Sequence, residues 1–423
     1  MKKIIFILVL IFLILLGGVG YYVYINNQSV PANTNSIFNS VRNFLPFGTP
    51  SQQITPPTQN NYGTTTPNQN NNQIKIDRMF QISETPTAGF IAIDTISSST
   101  KIVFNTEKNA TTSSSTKQTE TYVRFVERAT GHVIESKMSN LEKTRISNIT
   151  VPKVYESFLN SKGTEFITKT LSGETISTEY RKVSTSTTPT TEITFSYPSN
   201  TDILITKGDS VFYTTKTTTG SVGFLTTFDN KKPVQLFSTP LREINASWSG
   251  GNTLEIFSKP HSQYGGISFV VDIKNKTINE SLSGIRGLST NPNMDGTYTL
   301  YNTNINDLSL GAKKGKTNIV SQISIKTLPE KCVWSKKNTK VAYCAVPSYF
   351  DRSGYPEDWY KGNKSSNDDF WSINVETGEE SVIYRPINDG KEAPDAINLS
   401  LNEKENYLFF TNKRDLSLWG LAI

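Results

Sequence analysis

Five segments between Ser157 and Phe410 share one design: "SFLNSKGTEFITK", "ASWSGGNTLEIFS", "STNPNMDGTYTLY", "CVWSKKNTKVAYC" and "NLSLNEKENYLFF". Each sets strand-forming residues on both sides of a polar turn, the pattern of a β-hairpin. A second kind of turn recurs in "VERATGHVIE", "TTFDNKKPVQLF", "VDIKNKTINESL", "GAKKGKTNIVSQI" and "NVETGEESVIY". Asn230, Asn275 and Gly315 are 45 and 40 residues apart, and Gly378 follows 63 later. A lone hairpin buries too little apolar surface to be stable in water. Hairpins that recur in this way must stack on one another, and a period of about 40–45 residues is that of four-stranded propeller blades. No convincing helical periodicity occurs beyond residue 75, so the fold class is all-β.

Counting units gives seven, at roughly 84–140, 141–198, 199–240, 241–283, 284–325, 326–385 and 386–423. Six or eight blades are the competing counts, because the chain around "STSTTPTTEITF" is degenerate. The last unit stops at Ile423 after its third strand, "SLWGLAI", while "KIDRMFQISE" near residue 80 is a strand without a blade. Pairing these two closes the ring and leaves no long exposed sheet edge. The segments "CVWSKKNTKVAYC…DDFWSINVETGEE" and "LSLNEKENYLFFTNKRDLSLWGLAI" resemble the TolB-like propeller repeat, with its WS, polar turn, aliphatic-aromatic strand and LW…TGE. The usual PDG turn is replaced by "KKN" or "NEKEN", and the first three units match loosely. The resemblance spans about residues 75–423 and implies a propeller. It extends to singly anchored bacterial envelope proteins and brings no function with it.

The chain opens "MKKIIFILVLIFLILLGGVGYYVYI", in which Ile4 to Ile25 is a run of 22 residues without a charge. As a helix this is about 33 Å long, enough to cross a bilayer. Lys2 and Lys3 precede the run and no basic residue follows it before Arg42, so residues 1–25 read as a signal-anchor with a cytoplasmic N-terminus. A cleaved signal peptide is the alternative, and either reading exports the rest of the chain. Residues 26–74, rich in Asn, Thr and Pro, have little apolar surface to offset ordering entropy and are expected to form a flexible tether. Within it, residues 36–47 place Ile37, Val41, Phe44 and Leu45 at helical spacing, an amphipathic segment that would lie on a membrane or dock on a partner. The formal net charge is +6, but beyond residue 75 the chain carries nearly equal numbers of both signs. Without a basic run or patch, no nucleic-acid partner is expected.

Cys332 and Cys344 are the only cysteines, and they lie symmetrically about Asn338. If Lys336 to Thr339 turns the hairpin, the two residues face each other on adjacent strands, within reach of a disulfide. An exported location favours the bond, with free buried thiols as the alternative. The bridge would pin the root of the next loop.

That loop, Ser348 to Trp371, is the longest insertion and carries Tyr349, Phe350, Tyr355, Glu357, Asp358, Trp359, Tyr360, Asp368 and Asp369. Aromatics interspersed with carboxylates suit protein or glycan contact; the plainer reading is a loop packed on its neighbours. Asn105–Thr121 and Ser258–Gly266 are placed in the same second-to-third strand position, so all three insertions are expected on one face. The two histidines, His132 and His261, fall in different units, and no G-x-S-x-G elbow or EF-hand spacing is present. The sequence reading therefore expects no enzyme, no cofactor and no metal. It expects a membrane-tethered binding or assembly module for an envelope protein or surface glycan. The alternative is an exported glycan-active hydrolase, which converging carboxylates at the channel mouth would favour.

Overall fold

The computed structural model describes residues 77–423 apart from 106–109, 149, 184–190, 303–307, 316–317 and 350–352. The apolar run 4–25, the tether and the 36–47 segment lie outside the described residues. Among the described residues no helix is long and apolar enough to cross a membrane.

Seven four-stranded antiparallel sheets form a seven-bladed propeller. Six blades are continuous in sequence, spanning 87–145, 154–196, 201–239, 244–286, 290–326 and 332–384. The seventh takes three strands from 396–422 and its outermost from Met79–Ser83. Met79 pairs with Leu421, Phe80 with Gly420 and Gln81 with Trp419, as the orphan strand in the sequence required. Met79, Phe80 and Ile82 are buried, so this closure is an apolar seam as well as a row of backbone hydrogen bonds.

The strand order places the first strand of each blade innermost. Every hairpin between first and second strands therefore turns at one end of the central channel, here called the lower face. Every link between the second and third strands turns at the upper face. Apolar clusters fill six of the seven blade-to-blade interfaces among the described residues. Between blades 4 and 5 the contact is polar: Glu255, fully buried, accepts a hydrogen bond from Thr299 Oγ1 at 2.9 Å, and Lys313 Nζ lies 3.6 Å away.

Blade 1 departs from the sequence reading. Its first two strands, Thr87–Asn105 and Ala110–Glu127, pair without interruption from Gly89↔Val126 to Asn105↔Ala110. The 105–121 stretch thus belongs to a first-to-second strand hairpin and emerges from the lower face, opposite the other two insertions. Beyond Asp94 it forms a two-stranded arm roughly 35 Å long at about 3.4 Å per residue. "TISSSTKIVFN" and "ATTSSSTKQTE" contain no Gly or Pro to end the pairing, and Thr favours extended backbone. "VERATGHVIE" accordingly turns between second and third strands. The outer strand of blade 1 is Lys143–Arg145, which the sequence count assigned to the second unit. Three exposed polar residues carry no alternation to reveal them.

Candidate functional site at the upper mouth of the channel

The turn Pro329–Lys331 delivers the chain into the inner strand Cys332–Trp334 of blade 6. Lys331 is fully buried, and its Nζ donates to Asp368 Oδ2, Asp395 Oδ1 and Ser366 Oγ, each at 2.7 Å. Trp359 closes over the group: its Nε1 donates to Asp395 Oδ2 at 3.0 Å, and its ring centroid is 5.4 Å from Lys331 Nζ and 4.7 Å from Lys413 Nζ. One buried ammonium thus serves two carboxyls, and their surroundings separate them. Burial works against the charge on Asp395, but Lys331, the Ser366 amide and Trp359 outweigh it and hold its carboxyl below the ordinary range. Burial pushes Asp368 up, and Lys331 only partly opposes this. Its Oδ1 has no hydrogen-bond partner among the described residues, while its Oδ2 also accepts from the Ala396 amide at 2.7 Å.

This network anchors the long insertion of blade 6. Gly354 turns at φ 68°, where a Cβ would strike the Asp358 carboxylate, and the chain then enters the one-turn helix Glu357–Tyr360. Lys413 Nζ of blade 7 donates to Trp359 O at 2.6 Å, and Arg414 donates to Ser366 O at 2.7 Å and Ser365 Oγ at 3.1 Å. At the other end Glu357 Oε1 accepts from Ser262 N at 2.7 Å and Ser262 Oγ at 2.8 Å, in the Ser258–Gly266 loop of blade 4. The insertion is therefore a strap bonded to blades 4, 6 and 7. Burial opposes the Glu357 charge, but the Ser262 donors overcome it and lower the carboxyl's pKa.

Tyr360 donates from the strap to Glu330, whose other carboxylate oxygen accepts from Ser289 Oγ at 2.8 Å. Burial raises the pKa of Glu330 against these hydrogen bonds, and that of Tyr360 rises with it. Glu330 lines a channel cavity of about 340 Å³ whose wall includes Ile203, Ile205, Ala246, Val333 and Leu399, with Lys207 towards the lower face. Among the described residues it is the one carboxylate lining that cavity, so the converging acids that would favour hydrolysis are not gathered there.

The structure sorts the sequence candidates into three groups. Tyr349 is 81 % exposed and Tyr360 38 %, both on the upper face. Trp359, Asp368 and, less completely, Tyr355 are buried anchors of the strap, so they are not presented for contact. Glu357 latches the strap, Asp358 bonds within it, and Asp369 lies 3.4 Å from Arg385 Nε in the same blade. Phe350 lies outside the described residues. Cys332 and Cys344 pair directly across their hairpin and are joined by a disulfide, with Cα atoms 4.0 Å apart. Neither histidine forms a triad: His132 lies beside Thr150, and His261 Nδ1 is 3.4 Å from Glu357. The sequence missed Glu330, Lys331, Ser289 and Asp395. They come from three separate inter-blade connections, and only ring closure brings them to one mouth.

No protein-family model matches the chain, and no curated protein does. Solved structures similar to it include a protein described as functionally unknown from Desulfotomaculum acetoxidans (14% identity, 71% of this chain and 89% of that one, TM-score 0.44). Another is named "putative 6-phosphogluconolactonase" from Bacteroides uniformis (13%, 70% and 85%, TM-score 0.42). A third is an oligogalacturonate lyase in complex with manganese (11%, 71% and 74%, TM-score 0.36). At these identities the likeness concerns the fold. It also corrects one expectation: the chain was read as a non-enzyme, yet two of these similar structures carry enzyme names. The absence of hydrolase motifs from the sequence does not exclude catalysis.

Proposed function

We propose that this chain is a membrane-tethered, extracytoplasmic propeller that binds an envelope protein or a surface glycan through its upper face. The observation that carries the reading is the strap. In the 20-residue insertion 348–367, the described stretch 353–367 is held by a buried ion network and by Glu357 before any partner arrives. A surface ordered in advance loses less entropy on binding, which turns rigidity into affinity. Exposed apolar and aromatic side chains lie on the strap and on neighbouring connections: Tyr349, Tyr360, Tyr264 and Ile387. Tyrosines on a fixed framework are favourable contact residues, because each offers a large area with few rotatable bonds. The test is capture from solubilised envelope fractions by the full chain, compared with Tyr349→Ala and Tyr264→Ala. Both variants should keep the wild-type melting temperature and lose captured material. Undiminished capture by the double variant would refute the assignment of this face.

A further inference from the structure

The lower half of the channel is a second feature, continuous with the upper cavity at Lys207, Ser249, Val333, Trp334 and Leu399. A cavity of about 510 Å³ opens there, walled by Phe90, Phe158, Val333, Leu399 and Leu401, with polar groups on its floor. Its volume falls in the range of small-molecule sites, roughly 300–1,000 Å³. Only two charged residues line it, Lys207 and Lys336, and no carboxylate does. Nearby acids are already engaged. Glu403 pairs with Lys336, Glu405 accepts from Ser335 Oγ at 2.7 Å and from the Lys336 and Lys337 amides, and Asp94 accepts from Asn402 Nδ2 and the Lys404 amide.

Lys207 differs from its neighbours. It ends the inner strand Thr201–Lys207 of blade 3 and lines the upper cavity as well as the lower one. Among the described residues no carboxylate or hydrogen-bond acceptor pairs with its ammonium. Lys207 is exposed to the solvent of the channel, and the surrounding channel walls and then the charge of Lys336 lower its pKa. A cation without a protein partner beside aromatic and aliphatic walls is an incomplete set of contacts. An anion carrying an apolar body would complete it.

We infer that the lower channel binds a small organic anion, a carboxylate or phosphate on an aromatic or aliphatic body, with Lys207 as its counter-charge. This goes beyond the upper-face reading and does not depend on it. Trp334 lines the cavity and supplies the signal. The full chain in detergent is titrated with benzoate, phenyl phosphate and neutral benzamide while tryptophan emission is followed. The acids should bind at least tenfold more tightly than benzamide, and the difference should shrink as salt is raised. Lys207→Gln should abolish the preference with an unchanged melting temperature, while Tyr349→Ala should leave it intact. A tighter response to phenyl phosphate than to benzoate assigns the site to phosphate, and the reverse assigns it to carboxylate. Equal binding of acid and amide, no saturation by about 10 mM (an affinity weaker than roughly 3 kcal/mol), or a preference that survives Lys207→Gln would overturn the inference.

Discussion

Lys331 shows how one side chain decides the shape of a face. Removing one partner from a buried ion pair leaves charge without compensation and costs about 3–5 kcal/mol. Lys331→Met should therefore destabilise the propeller by about that amount and release the strap, measured by denaturant unfolding and by protease cleavage within 348–367. Asp368→Asn should be milder, because burial already disfavours the charge on Asp368 and raises the pH at which it gives up its proton. The sign of its pH effect follows from linkage. The native state keeps this proton at pH values where the unfolded chain has released it. Stability therefore falls as pH rises from the ordinary carboxylate range to the raised value of Asp368. Wild-type protein should show this decline in melting temperature, and Asp368→Asn should show less of it, the remainder belonging to Glu330 and Glu255, whose carboxyls are also raised by burial. Trp359 belongs to the same argument. The sequence marked it as a contact residue, but its indole is spent on Asp395 and Lys331, so Trp359→Ala should cost stability as well as any binding.

Among the elements, the closing strand Met79–Ser83 is the most exposed to test. Burying Met79, Phe80 and Ile82 contributes about 1.5–3 kcal/mol each, a large share of a domain's typical 5–15 kcal/mol. A chain beginning at Glu84 should melt far below one beginning at Asn72, or precipitate through the bared edge of Leu418–Ala422. Equal melting curves would refute closure by this strand. The disulfide hairpin makes a smaller demand: Cys332→Ser with Cys344→Ser should lower stability by up to about 3 kcal/mol and leave the ring folded. Both elements were legible in the sequence, because period-two alternation and turn spacing are local signals. Blade 1 was not, since its arm reads as a polar loop until its partner strand is known, and Lys143–Arg145 has no apolar residue to mark it. The site was less legible still. Glu330, Asp395 and Lys207 are ordinary surface-type residues along the chain, and only the ring sets Glu330 and Lys207 in one channel and buries Asp395 beside Lys331.

At the scale of the whole molecule, three observations fit one arrangement that remains a proposal. The apolar run from Ile4 to Ile25 follows two lysines, the segment after it is polar and rich in Asn and Thr, and the cysteines are oxidised in the fold. A structural disulfide persists in an exported compartment and rarely in the cytosol. On this arrangement the propeller stands outside the membrane on a cleavable tether. The ring begins at Met79, so a cut anywhere before Arg78 spares its closing strand and every blade. Protease added to cells stripped of any outer wall should therefore release a soluble fragment whose N-terminus lies at about residues 50–74. That fragment should melt like the full chain, and its two cysteines should resist thiol reagents until it is reduced. Protection of the full-length chain in intact cells, with cleavage only after lysis, would place the propeller on the cytoplasmic side. Release of a fragment with reactive thiols would keep the topology and remove the disulfide from the argument.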